Sequence, residues 1–122
     1  MRLVRLVLAL VIFGAAGPAV AGPFEDAEAA YQKGDYATAL RLWRPLAEQG
    51  NSRAQANLGY MFSIGRGVPQ DYVQAHKWFS LSAAQGNAVA TRNRDSIAAK
   101  MKAAQIAEAQ KLAREWKPQP VR

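Results

Sequence analysis

The sequence predicts an all-α fold. It reads as an α-solenoid of about three helical hairpins, six helices in total, preceded by a signal peptide. Three observations predict it. The chain repeats itself at an interval of 36 residues, its apolar residues recur at helical spacing, and no stretch makes a strong strand candidate.

The repeat is the strongest of these. Shifted by 36, Asp35 and Tyr36 fall on Asp71 and Tyr72, Ala39 on Ala75 and Ala47 on Ala83. Gln49-Gly50-Asn51 falls on Gln85-Gly86-Asn87, and Ala54 on Ala90. Eight of the twenty positions from Asp35 to Ala54 are identical, where an alanine-rich composition would give about one or two by chance. Trp43 aligns with Phe79 and Arg41 with Lys77. A helical period near 36 means stacked hairpins, because one hairpin cannot bury its apolar face alone.

Before the repeats, residues 1–21 read as a signal peptide. Arg2 and Arg5 supply the positive start, Leu6 to Phe13 is an unbroken apolar run, and Ala19-Val20-Ala21 fits a cleavage site before Gly22. The run is short for a span of about 20 residues, although a retained anchor is the alternative. Export is the expectation, to the periplasm or the medium. The mature chain would carry the helical repeat domain over 22–117, with repeat copies near 23–50 and 52–87, a capping hairpin over 88–117, and a tail at 118–122.

The helices follow in order. Phe24, Ala27, Ala30 and Tyr31 mark a first helix ending before Gly34. Tyr36, Ala39, Leu40, Trp43, Leu46 and Ala47 lie on one face of a second. Asp35 suits its N-cap and Gly50 its C′ position. Pro45 cannot donate to the Arg41 carbonyl, so a kink or wide turn is expected there. Ala54, Leu58, Met61 and Phe62 form the apolar face of a third, Ser52 to Ser63, where Gly59 admits a close neighbour. The loop Gly65 to Gln70 follows. In the fourth helix Asp71 and Gly86 repeat the two end signals, and Gln74 stands where a capping box needs it. Ala90, Arg94, Ile97 and Met101 mark a fifth, starting near Ala88. Ile106, Ala109, Leu112, Ala113 and Trp116 mark the last, and Pro118 and Pro120 end regular structure. The aligned aromatics Trp43 and Phe79 are expected to wedge between hairpins.

Composition excludes several chemistries. The chain has 122 residues and no cysteine, so disulfides, thiolate catalysis and cysteine-bound zinc are absent. His76 is the only histidine, and the acids near it lack a metal-ligand spacing. A packing or surface histidine is favoured over a ligand or base. The serines have no base or nucleophile elbow in view. Gly65-x-Gly67 lacks the third glycine, the lysine and the preceding strand of a phosphate loop. No catalytic residue, metal or cofactor is expected.

Charge is uneven along the chain. Residues 22–87 carry six basic and six acidic residues, whereas residues 88–122 carry eight basic and three acidic. That excess of +5 would favour an acidic partner or an anionic surface, through Lys100, Lys102, Lys111, Arg114 and Lys117. A solvated helix face carries such a pattern equally well, and is the favoured reading.

The residues Gly65-x-Gly67-Val68-Pro69-Gln70-Asp71-Tyr72, Ala75, Lys77-Trp78-Phe79 and Ala83-Ala84-Gln85-Gly86-Asn87 resemble the Sel-1-like repeat, a relative of the tetratricopeptide repeat. Ala54-Gln55-x-Asn57-Leu58-Gly59-Tyr60-Met61-Phe62 resembles the first helix of that unit. The match is strong over 52–87 and looser over 24–49, where Gly34-Asp35 replaces the longer glycine loop. Residues 93–116 resemble the closing segment of short exported bacterial members, except that Lys102-Ala103 follows Met101 in place of Thr-Pro.

The resemblance implies a right-handed α-solenoid that serves as a non-catalytic protein-interaction scaffold. Its repeat positions here are Tyr36, Trp43, Gly50, Leu58, Gly59, Tyr72, Ala75, Trp78, Phe79 and Gly86. In such solenoids the first helix of each unit lines the concave side. That nominates Arg53, Asn57, Tyr60 and Arg94 for an unknown protein or peptide partner, with ordinary solvated residues as the alternative. Self-association of end hairpins is the other interaction the architecture allows. The export signal argues against nucleic acid as a natural partner.

Overall fold

A computed structural model of the chain describes residues 22–120. Residues 1–21, the expected signal peptide, lie outside the described residues. Six helices run in order: α1 (Pro23–Gln32), α2 (Tyr36–Glu48), α3 (Ser52–Ile64), α4 (Tyr72–Ala84), α5 (Ala88–Ala98) and α6 (Ala103–Glu115). Among the described residues there is no strand. The fold is an all-helical repeat, as the period requires. Each helix packs on the next from α1 to α5, and α3 also touches α5.

Three of the five joints share one design. At Lys33–Asp35, Gln49–Asn51 and Gln85–Asn87 a glycine takes positive φ, at 83°, 102° and 94°. In the second joint the Gly50 N–H donates to the Ala47 carbonyl and the Asn51 N–H to that of Leu46. Gly86 and Asn87 do the same to Ala83 and Ser82. This pairing satisfies the last carbonyls of the ending helix. The residue that closes it then caps the next helix: Asp35 accepts from the Thr38 N–H, Asn51 from Ala54 and Asn87 from Ala90. One residue therefore ends one helix and starts another, which holds consecutive helices at a repeatable angle.

The longer joint between α3 and α4 differs. Gly65 ends α3 in the left-handed region, and Asp71 caps α4 by accepting from the Gln74 N–H at 3.1 Å. The expected capping box is only half formed. The Asp71 N–H donates to the Phe62 carbonyl at 2.9 Å, so it is not free for the Gln74 side chain. Helix α2 also departs from expectation. It runs unbroken from Tyr36 to Glu48 through Pro45, so the wide turn does not occur.

The core is a line of alanines and aromatics. Ala39, Ala47, Ala54, Leu58, Met61 and Ala75 are fully buried, with Trp43, Trp78 and Phe79 nearly so. A Cβ on Gly59 would sit 2.8 Å from the Phe79 ring, so the missing side chain is what lets α4 close on α3. The aromatic contacts lie within hairpins more than between them: Phe79 lies on Gly59, and Trp43 on Phe24 and Tyr31 at ring separations of 6.1 and 5.6 Å.

The last pair of helices also departs from the expected capping hairpin. Helix α6 lies against α4 and barely touches α5. The joint at Ala99–Lys102 has no glycine and no positive φ, so the tight glycine turn of the other joints cannot form. Instead the Lys102 N–H donates to Gln105 Oε1 at 2.9 Å and starts α6 in a new direction. The tail continues that path. Trp116 meets Trp78 edge-on at 6.5 Å, and the Gln119 N–H donates to the Glu48 carbonyl at the end of α2. Helix α6 and the tail thus cover α2 and α4, the second helices of the two repeats.

Candidate functional site

With the second helices covered, the first helices present the open face. A groove runs along it, walled by α1, α3 and the start of α5, with Trp43 of α2 at its base. Its aromatic side comes from Phe24 and Tyr31, which the α1 pattern turns inward. Its polar side comes from Arg53, Asn57 and Tyr60, which stand at i, i+4 and i+7 of α3 and so share one stripe.

The stripe is organised by contacts across the groove. The Arg53 guanidinium lies 4.2 Å from the centroid of the Phe24 ring, a cation–π contact worth about 0.5–1 kcal/mol at an exposed site. Its ion pair with Glu28 is 3.8 Å long, with the side chains 69% and 49% exposed, so the pair contributes little. Farther along, Arg66 donates to the Tyr31 hydroxyl at 2.8 Å and lies over the Tyr36 ring. The Tyr31 hydrogen bond raises the guanidinium pKa further. This ties the α3–α4 loop to the first hairpin.

Two large apolar side chains are left to solvent at the mouth, Tyr60 at 43% and Val89 at 52% exposed. Trp43 is buried at the base, and its Nε1 has no hydrogen-bond partner. An apolar floor with a few polar groups on one wall suits a polypeptide segment.

Of the four residues nominated from sequence, Arg53, Asn57 and Tyr60 come together in the groove. Arg94 does not. It lies five residues after Val89, roughly 140° around the helix at about 100° per residue. It lines a separate wedge between α5 and α6, with His76, Ser80 and Asp95. His76 is buried in α4, with Ser80 Oγ 3.3 Å from its Nδ1. Burial, then the charge of Arg94, lowers the His76 pKa, while Asp95 acts the other way. Among the described residues no group of three His, Asp or Glu is placed to hold a metal ion.

The structure places the predicted repeat positions in the core, at helix starts and at joints. Leu58, Gly59, Ala75, Trp78 and Phe79 are buried, Tyr36 and Tyr72 are half-buried at helix starts, and Gly50 and Gly86 hold the joints. A polar joint escaped sequence reasoning. The fully buried Gln55 donates to the Ala47 carbonyl at 3.1 Å and accepts from Gln85 Nε2 at 2.9 Å. Gln85 also reaches the Gly50 carbonyl, and the Ser82 hydroxyl bonds the Ser52 carbonyl at 2.8 Å. Ser82 aligns with Leu46 under the 36-residue shift, and a serine at an apolar register was the available signal.

The family model described as Sel1 repeat matches residues 27–51 and 52–87. No curated protein matches the chain.

Proposed function

Since the chain belongs to the Sel1 repeat family, whose repeats are generally protein–protein interaction modules, we propose that it is a non-catalytic interaction module or adaptor of the bacterial cell envelope. It holds an extended segment or a single helix of another protein in the groove along α1, α3 and α5. The observation that carries this reading is the groove itself. It places Arg53, Asn57 and Tyr60 on one wall, opposite Phe24 and Tyr31, and leaves Tyr60 and Val89 exposed at its mouth.

The envelope location rests on the leader-like residues 1–21. No helix among the described residues is long and apolar enough to cross a membrane. The ends of the stack favour a foreign partner over copies of the same chain. Helix α1 turns Glu25, Asp26 and Glu28 to solvent, and α6 turns out Gln110, Lys111 and Arg114. Polar outer faces of this kind are what terminal repeats need to stop further stacking.

The test is competition. A partner fragment captured by the parent protein should lose at least tenfold in affinity to the Tyr60→Asp and Asn57→Asp variants. A Lys111→Gln variant, altered on α6, should keep full affinity. Equal binding by all three variants would remove the groove from the account.

A further inference from the structure

The wedge between α5 and α6 has a chemistry of its own. It exists because α6 leaves α5 and lies on α4, and its floor is His76. The His76 side chain is only 4% exposed. Its Nδ1 faces Ser80 Oγ, and Nε2 has no partner among the described residues. If the hydroxyl donates to Nδ1, the remaining proton sits on Nε2 and makes that atom a donor.

Charged groups reach the wedge from both walls. Arg94 and Asp95 come from α5, and Arg114, beside the neutral Gln110, from α6. Arg94 spends only its Nε on Asp95, at 3.1 Å, leaving its Nη groups without a partner among the described residues. Arg114 is exposed and in no ion pair among those residues. With His76 held neutral, two arginines and one aspartate leave a single positive charge. That charge matches a monoanion better than a dianion. Ala98, Ile106 and Ala113 supply apolar walls for the methylene stem of an acidic side chain.

We propose that this wedge is a second binding site, separate from the groove, that takes the carboxylate of an acidic side chain on a partner polypeptide. Arg94 and Arg114 grip the carboxylate oxygens from the two walls, and His76 Nε2 donates from the floor. The site uses Arg94 and Arg114, two of the eight basic residues of 88–122, which the groove leaves unused. That the carboxylate comes from a protein rests on the interaction-module reading; the chemistry of the wedge does not.

His76 is the only histidine, so the imidazole Hε1 region of the NMR spectrum of the untagged protein holds one signal. A hexaglutamate peptide titrated into the purified protein should move that signal saturably and raise the midpoint of its pH titration. Arg94→Gln and Arg114→Gln should each weaken the response at least tenfold, with the helical circular dichroism unchanged. A Lys111→Gln/Lys117→Gln double variant should stay within twofold of the parent. The proposal is overturned by a signal that does not saturate. Equal loss in the lysine variant would overturn it as well, since it would mean diffuse charge attraction. Tighter saturation by inorganic phosphate would overturn the acidic partner in favour of a small-oxyanion site. A Tyr60→Asp variant should respond like the parent, so failure of the groove would not be mistaken for failure of the wedge.

Discussion

Replacing Gly59 by alanine tests the packing of the second hairpin. The new Cβ would lie 2.8 Å from Phe79 Cδ1 and 2.9 Å from Cε1. Phe79 is 1% exposed, so its ring has no open direction in which to move. Two effects then oppose each other. Alanine is the better helix former by about 1 kcal/mol. Overpacking a filled core costs about 1–3 kcal/mol. The variant should therefore be destabilised by up to roughly 2 kcal/mol, although Gly→Ala in an open helix stabilises.

The sign should reverse when the ring is removed. Phe79→Ala alone should cost about 3–5 kcal/mol, as for other buried phenylalanines. In that background Gly59→Ala meets no ring and should stabilise by about 1 kcal/mol. The coupling between the two sites should then be about 1–3 kcal/mol. Urea unfolding followed by circular dichroism at all four corners of the cycle measures it, and Phe79→Leu serves as the background if the alanine variant is too weak. Additive effects, with Gly59→Ala stabilising both backgrounds equally, would refute the close approach of α3 and α4.

Other perturbations follow from the joints, the tail and the buried histidine. Gly50→Ala and Gly86→Ala, at φ 102° and 94°, should each cost about 1–2 kcal/mol by denaturation; neutral effects would contradict the glycine joints. Gln85→Ala removes the donor to the buried Gln55 Oε1 and should cost about 1–3 kcal/mol. Trp116→Ala should lower the melting temperature and speed hydrogen exchange at the Gln119 amide, which the tail holds against Glu48. The lowered His76 pKa means that the unfolded chain binds its proton first. Stability should therefore be full above the ordinary value of 6.5 and should fall as pH drops from there through the lowered value. A His76→Gln variant should lack that component when urea midpoints at pH 7.5 and 5.5 are compared.

Much of the fold was legible because the repeat copies its local signals along with its apolar face. Asp35, Asn51 and Asn87 each follow a residue that marks a helix end, and each starts the next helix. A short-range rule therefore placed those three helix starts closely. Pro45 gives no wide turn because a proline near the end of a helix loses one hydrogen bond without stopping the helix, which runs on to Glu48. The path of α6 was not legible either. The sequence showed an amphipathic last helix through Ile106, Ala109, Leu112, Ala113 and Trp116, but not which earlier helix would receive it. That choice depends on the glycine-free joint at 99–102 and on the Trp116–Trp78 contact.

The candidate site was legible to the same degree. Arg53, Asn57 and Tyr60 share one helix stripe, and spacing alone places them together. Arg94 belongs to another helix, and its direction depends on how α5 is rotated against α4. The buried bonds of Gln55, Gln85 and Ser82 joined residues about 30 positions apart, beyond any local pattern.

The central claim is that the face of α1, α3 and α5 receives another protein. A photoreactive residue at position 60, activated in living cells, tests it most directly, with one at position 111 on α6 as the comparison. One dominant adduct should form from position 60, mapping to a single segment of a different protein and missing from position 111. Adducts only with copies of this chain, or the same products from both positions, would contradict it.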